Sequence, residues 1–199
     1  MVTKTRDKLI EVARQLFARK GIENTTMNDI ASASDKGRRT IYTYFKNKRE
    51  IYNAVIEHES EQLVSRLRAV VSSDAEPQEK LRLYLETRFD IVNEAVPLSE
   101  KTFRSFLSLD FRRVDRIRRL AISKETKLFN QLLDEGVRAG VFDPEQAKCA
   151  PTMETVVFQG VDYSHIRGNF AELGTDRQRQ RRLVIDFMLR GIILKKNIS

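Results

Sequence analysis

The chain of 199 residues has little of what secreted, membrane-spanning or disulfide-bonded proteins contain. Cys149 is the only cysteine, so no disulfide can form within the chain, and a reducing cytoplasm is the expected location. No run approaches the ~20 apolar residues that cross a bilayer. The basic N-terminus lacks the following apolar segment of a secretory signal. We therefore expect no membrane partner.

Residues for catalysis or metal binding are equally scarce. Besides Cys149 the chain has only two histidines, His58 and His165, which we expect on helix surfaces or in satisfied packing. No HExxH, GxSxG, phosphate-loop or paired Cys-x-x-Cys pattern is present. We therefore expect no enzyme activity, no metal site and no cofactor.

Positive charge is present in excess, and it is unevenly placed. The formal net charge is +8, and residues 1–50 hold 12 Lys and Arg against 6 Asp and Glu, which places +6 of that excess in a quarter of the chain. Such a segment suits contact with a polyanion, although a solvated basic face has the same composition. Hydrophobic residues at 41% fit a folded globular protein.

Apolar residues recur at helical spacing nearly throughout, which predicts an all-α fold without repeats. In the first 50 residues, the start and stop signals are Gly21, the capping box Thr26-x-x-Asp29, and Asn47 before a long fourth helix. A third helix is expected over 38–45. Beyond the break at 72–77, one predicted helix begins at Pro77 and ends near Pro97, the next covers 99–109, and a third runs from Val114 to Gly140. A fourth begins at Asp143-Pro144, with a kink or interruption at Pro151, and the last begins at Thr175-x-x-Gln178.

Residues 25–48 carry the most specific chemistry, as two short helices joined by a tight turn. A helix with Arg, Thr and Tyr at its exposed start can enter the major groove of DNA. Arg38 and Arg39 can bond guanine bidentately, and the methyl groups of Thr40 and Thr43 suit thymine. Phosphates are expected at the hydroxyls of Tyr42 and Tyr44, at the helix start marked by Thr26, and at the charge of Lys48. A basic helical hairpin without DNA contacts is the alternative.

This segment resembles the N-terminal domain of the TetR family of bacterial transcriptional repressors. The residues that carry the resemblance keep their spacing across residues 5–51: Thr5-Arg6, Ala13, Leu16-Phe17, Gly21, Thr25-Thr26-Met27, Ile30-Ala31, Thr40-Ile41-Tyr42, Tyr44-Phe45 and Asn47-Lys48. The family's usual turn, Ala-Gly-Val-Ser, is replaced by Ser34-Asp35-Lys36-Gly37. Lys36 thus stands at an apolar position and Gly37 at a capping hydroxyl, and both belong to the predicted DNA-contacting set.

The resemblance implies a helix-turn-helix DNA-binding domain over 1–48 and a larger helical ligand-binding and dimerisation domain over 49–199. It implies a homodimer built from the last two long helices. Apolar runs at 183–185 and 187–189 support this independently, because they are too wide for one buried stripe, although a fully buried helix has the same pattern. A two-fold dimer predicts an inverted-repeat operator in double-stranded DNA.

A small-molecule effector of unknown identity is also implied, which makes the expected function that of a repressor released from its operator by a ligand. Candidate pocket residues are a set of aromatic side chains and two that could orient a polar group: Phe103, Phe106, Phe111, Phe129, Phe158 and Tyr163, with Arg88 and His165. Core packing is the alternative for each. The alternative function is a DNA-bound nucleoid-organising or division-control protein without a small-molecule inducer.

Overall fold

The computed structural model describes residues 2–94, 100–167 and 177–194, with side chains at 4–90, 116, 117, 119–161 and 178–194. Within these ranges the chain forms eight helices: α1 Val2–Lys20, α2 Met27–Ala33, α3 Arg38–Tyr44, α4 Lys48–Val71, α5 Pro77–Glu94, α6 Glu100–Arg138, α7 Pro144–Arg167 and α8 Arg177–Ile192. The all-α prediction is confirmed. The one β feature in the described residues is an isolated bridge between Phe142 and Ile193.

The chain divides into two compact units. The N-terminal unit comprises Met1–Gln62 and Ala95–Arg119, and the C-terminal unit comprises Leu63–Glu94 and Leu120–Ser199. Because α4 and α6 each pass from one unit to the other, helix boundaries and unit boundaries differ. The functional boundary between residues 48 and 49 stays a prediction.

The core of the N-terminal unit unites α1, α2, α3 and the first turns of α4. The apolar positions that repeat along α1 are buried together with single residues from the short helices. The phenyl ring of Phe17 meets the Tyr52 ring edge-on at 6.2 Å between centroids. The buried members are Leu9, Ile10, Ala13, Leu16, Phe17, Ile22, Ile30, Ala31, Ile41, Phe45, Ile51, Tyr52, Ala54 and Val55.

The core of the C-terminal unit lies between the end of α4, α5, the second half of α6, α7 and α8. Three aromatic rings, Phe129, Phe142 and Phe158, are almost completely buried in it. The end of α8 is fastened to the connection between α6 and α7, since Asp143 N donates to Ile192 O and Leu194 N donates to Val141 O, each at 2.9 Å. This pairing holds the inner face of α8 on the core.

The turn after α6 requires two glycines. Gly140 adopts a left-handed φ of +70°, and Val141 N closes the turn on Gly136 O at 2.9 Å. A Cβ on Gly136 would lie 2.0 Å from Cδ2 of Phe142. Gly136 is therefore the residue that lets the Phe142 ring lie directly against α6.

Several helix limits differ from the sequence prediction. The two helices expected over 99–109 and 114–140 are one continuous helix, α6. No proline or glycine lies between Glu100 and Gly136, so the charged residues that interrupt the apolar spacing there do not interrupt the backbone. α7 also continues through Pro151, so the expected interruption is wrong. The predicted cap at Thr175 lies outside the described residues.

Other predicted helix signals are confirmed. Pro77 is the first residue of α5, and Glu50 N donates to Asn47 Oδ1 at 3.0 Å at the start of α4. Asp143 Oδ1 likewise accepts from Glu145 N and Gln146 N at the start of α7. Among the described residues, we find no helix that combines the length and apolar character needed to cross a membrane.

Candidate nucleic-acid interface

The helix α2 begins with a closed capping box. Asp29 N donates to Thr26 Oγ1 at 3.1 Å, and Asp29 Oδ2 accepts from Thr26 N at 2.8 Å and from Thr26 Oγ1 at 2.9 Å. The Thr26 bonds lower the pKa of Asp29, so the carboxylate is ionised, with Lys20 Nζ 3.4 Å away. Both donors of Thr26 are therefore occupied within the protein.

The turn between α2 and α3 closes with the hydrogen bonds of a Schellman motif. Asp35 N donates to Ser32 O at 3.1 Å, and Lys36 N donates to Ala31 O at 2.9 Å. Asp35 occupies the left-handed position with φ +56°, a conformation that glycine adopts more readily. Lys36 is half-buried, which fits an aliphatic stem lying over the turn.

The helix α3 buries one side and exposes a basic, hydroxyl-bearing side. Ile41 is fully buried, whereas Arg38, Arg39 and Thr43 are exposed. The guanidinium of Arg38 lies over the Tyr42 ring, 5.8 Å from its centroid, which is within the range of a cation–π contact. The exposed face of α3 therefore presents two arginines from its first turn.

The helix start itself is open to a ligand. Gly37 is the N-cap of α3 with an extended backbone and no side-chain cap, and a Cβ at this position would meet nothing within 4 Å. Thr40 is half-buried on the same helix, and Thr43 Oγ1 donates back to Arg39 O at 3.1 Å. The predicted residues from Lys36 to Thr43 are thus brought together on one turn and one short helix.

Tyr44 and Lys48 lie at the end of this segment, and both are half-buried. Tyr44 packs against the core of the N-terminal unit. Lys48 Nζ donates to Ile22 O at 2.6 Å and to Glu23 O at 3.3 Å. Burial lowers the pKa of Lys48, and the Glu23 carboxylate opposes that shift.

Arg6 lies next to the predicted DNA-contacting residues although it was not among them. Its guanidinium lies over the Phe45 ring at 5.5 Å from the centroid, directly beside the end of α3. Arg6 entered the sequence analysis only as part of the family pattern. No local pattern in the sequence indicates this contact, because the ring lies nearly forty residues further along the chain.

The predicted pocket residues that the structure describes belong to a buried polar cluster in the C-terminal unit. Arg88 Nε donates to Glu125 Oε2 at 2.9 Å, and its guanidinium lies 4.9 Å from the centre of the Phe158 ring. Tyr84 donates from its hydroxyl to Glu125 O at 3.1 Å, and burial raises its pKa. The Phe129 ring lies 5.0 Å from that of Tyr84. The side chains of Phe103, Phe106, Phe111, Tyr163 and His165 lie outside the described residues.

These observations define a class of protein. A short helix that carries exposed arginines, is preceded by a capped helix and a tight turn, and packs on a third helix is a helix-turn-helix DNA-binding domain. A larger helical unit follows it. The family model for "Bacterial regulatory proteins, tetR family" matches residues 9–55. The N-terminal domain of the chain therefore matches the DNA-binding domain of the TetR family of bacterial transcriptional regulators.

Known relatives match over different lengths. The HTH-type transcriptional repressor KstR2 of Mycobacterium tuberculosis (strain H37Rv) is 25% identical over 155 residues, which is 72% of each chain. The probable acrEF/envCD operon repressor of Escherichia coli (strain K12) is 48% identical over 50 residues, which cover 25% of this chain and 23% of that protein. The solved SmeT–triclosan complex has a TM-score of 0.66 at 19% identity and covers 98% of this chain and 94% of that one.

Proposed function

We propose that this chain is a transcriptional repressor that binds an operator through α3 and leaves it when a small molecule binds the C-terminal unit. The observation that carries the proposal is the exposed face of α3, where Arg38 and Arg39 stand free of the core while Ile41 anchors the opposite side. Two regulators that it resembles in sequence, KstR2 and the acrEF/envCD operon repressor, are named as repressors.

Arg38 and Arg39 are the residues proposed to read bases. Each guanidinium can donate two bonds to one guanine, and each such pair is worth ~1–3 kcal/mol of discrimination. The contact with the Tyr42 ring restricts Arg38 before DNA arrives, which reduces the entropy lost on binding. The methyl groups of Thr40 and Thr43 are proposed to meet thymine.

Phosphates are proposed to bind around this base-reading pair. Tyr42 and Tyr44 offer hydroxyl groups, Lys36 offers an ammonium group, and Gly37 leaves the start of α3 unobstructed. Thr26 can contact a phosphate only if a bond to Asp29 is exchanged, because its amide and hydroxyl both donate to that carboxylate. We therefore expect Thr26 to act chiefly through the shape of α2.

A homodimer is proposed from a second apolar face on α8. Its inner face, with Ile185 and Met188, is buried, while Leu183 and Phe187 are exposed at 57% and 72%. On α7, Met153 and Val156 are exposed at 49% and 60%. Exposed large apolar side chains on two helices that contact each other favour a protein interface at these helices. Gly160, where a Cβ would meet nothing in the single chain, leaves room for a partner helix.

The effector is proposed to act on the C-terminal unit, in the region of Arg88, Phe129 and Phe158. SmeT, whose fold is similar, has been solved with the small molecule triclosan. In this chain Arg88 already has Glu125 as its partner, so an effector with an acidic group must compete with that carboxylate. An effector releases DNA only by binding the DNA-free conformation more tightly than the operator-bound one.

The test is selection from a randomised pool of DNA duplexes with the purified chain. Two copies of α3 in a two-fold dimer should enrich an inverted repeat whose half-sites lie about one helical turn, or a multiple of it, apart. Binding should weaken steeply as salt increases, because each neutralised phosphate releases counterions. Enrichment of no sequence would contradict the proposed reading by α3.

Release by a ligand needs a separate experiment. Small molecules that copurify with the chain can be identified by mass spectrometry and added back to the complex with the selected duplex. The proposal predicts weaker duplex binding in proportion to the molecule added. A molecule that binds the free and the duplex-bound chain equally is not the effector.

The alternative, a nucleoid-organising or division-control protein, has less support because the relatives named above are repressors. Genome-wide footprints separate the two functions. A regulator should occupy one or a few sites near its target genes, whereas an organiser should occupy many dispersed sites. Cytoplasmic location is part of the proposal, since the DNA lies there.

A further inference from the structure

The ammonium group of Lys48 bonds to backbone far away in the sequence. Lys48 is the first residue of α4, and its Nζ donates to the carbonyl oxygens of Ile22 at 2.6 Å and Glu23 at 3.3 Å. Both carbonyls belong to the connection between α1 and α2. Bonds from a charged donor are stronger than those between neutral groups, so this contact is a substantial restraint.

The position of the contact in the chain gives it a role. Between Glu23 and Lys48 the chain forms α2, the turn and α3. The two bonds therefore join the beginning and the end of the segment that is proposed to contact DNA. Ile22 O also accepts from Thr25 N at 3.2 Å, which connects Lys48 to the turn directly before the cap of α2.

We propose that Lys48 is a positioning residue that fixes the ends of the α2–turn–α3 segment, rather than a residue that contacts a phosphate. The proposal rests on the proposed function of this segment in DNA binding. Two of the three ammonium protons are directed at protein carbonyls, and the side chain is half-buried rather than extended into solvent. The same partial burial lowers the pKa of Lys48, because it removes water from the ammonium group.

The first test needs no DNA. In Lys48→Met the two bonds are lost while the apolar stem remains, and Lys48→Gln is a milder variant if the first does not fold. Amide hydrogen exchange should become about tenfold faster or more at Thr25 and at the start of α2, since bonds from a charged donor are stronger than those between neutral groups. Exchange in α5 and α7 should not change. The matched control is Lys46→Met, which removes an exposed lysine two residues away and should leave all these rates as they are.

The second test measures how binding depends on salt, with the duplex enriched by the unchanged chain. The proposal predicts that Lys48→Met weakens binding about tenfold while the slope of log affinity against log salt stays the same, because the number of phosphate contacts does not change. A slope smaller by about 1 would assign Lys48 to a phosphate, and unchanged exchange rates would exclude the positioning role. If the unchanged chain itself enriches no duplex, the proposed DNA-binding function fails, and the exchange experiment still decides whether Lys48 restrains the segment.

Discussion

The exposed faces of α3 and α8 differ in their large apolar side chains although both helices are anchored in the same way. Each buries apolar residues on one side, Ile41 in α3 and Ile185 with Met188 and others in α8. Outside, α3 presents Arg38 and Arg39, whereas α8 presents Leu183 and Phe187 beside exposed charged residues. The buried sides explain why these helices form, and the exposed sides support the partners proposed for them: a polyanion for α3 and a second protein surface for α8.

The role proposed for the exposed face of α8 can be tested with Phe187→Ala. A central aromatic residue of an interface contributes about 2 kcal/mol or more, and a two-fold interface contains it twice. We expect the dimer dissociation constant to rise roughly 1,000-fold, which is about 4 kcal/mol. Sedimentation velocity over a concentration series measures this change.

A matched control is Leu120→Ala. Leu120 is exposed at 58% but lies on α6, so its loss should leave the dimer intact. If Phe187→Ala sediments like the unchanged dimer, α8 is not part of the interface.

The packing of the C-terminal core on which α8 lies can be tested with Gly136→Ala. The added methyl group would overlap the Phe142 ring, so the ring and the pairing beside it must move. We expect a loss of about 3 kcal/mol in the free energy of unfolding, at the upper end of overpacking effects. Urea unfolding followed by circular dichroism measures it.

Gly191→Ala is the control for this change, because a Cβ there meets nothing within 4 Å and the position is helical. It should change stability by at most about 1 kcal/mol, towards higher stability. Equal unfolding midpoints for the two variants would show that a methyl group at position 136 fits beside Phe142 without strain.

The comparison can be sharpened by changing the left-handed residue in each of two turns that have the same geometry. The turns after α2 and α6 have the same pair of hydrogen bonds, yet the left-handed position holds Asp35 in one and Gly140 in the other. Asp35→Gly should raise stability by about 0.5 kcal/mol, because glycine adopts this conformation without steric cost. Gly140→Ala should lower stability by about 1 kcal/mol. Thermal unfolding of both variants tests this, and shifts of the same sign would contradict it.

Most of the fold follows from local signals that the sequence displays. The capping box at Thr26, the cap at Asn47 and the helix start at Pro77 each depend on residues within four positions of one another, and all were predicted. Local signals also misled: polar residues in the middle of α6 suggested two helices. A helix needs no apolar residue at every turn when nothing breaks its backbone.

The unpredicted part of the site consists of contacts between distant residues. The pairing of Lys48 with Ile22 and of Arg88 with Glu125 spans 26 and 37 positions, and no pattern in the sequence connects such partners. The sequence identified Arg88 and Lys48 as charged residues with a role. Their predicted roles, a ligand contact for Arg88 and a phosphate contact for Lys48, stay predictions, whereas their protein partners become visible only after folding.

The central claim, that α3 reads DNA through its two exposed arginines, is tested most directly by the preference of the chain for its selected duplex over a scrambled one. Arg38→Ala and Arg39→Ala should each reduce that preference by ~1–3 kcal/mol, at base pairs that differ between the two variants. Arg19→Ala removes an exposed arginine from the end of α1 and should leave the preference unchanged. An undiminished preference in both α3 variants would contradict the account.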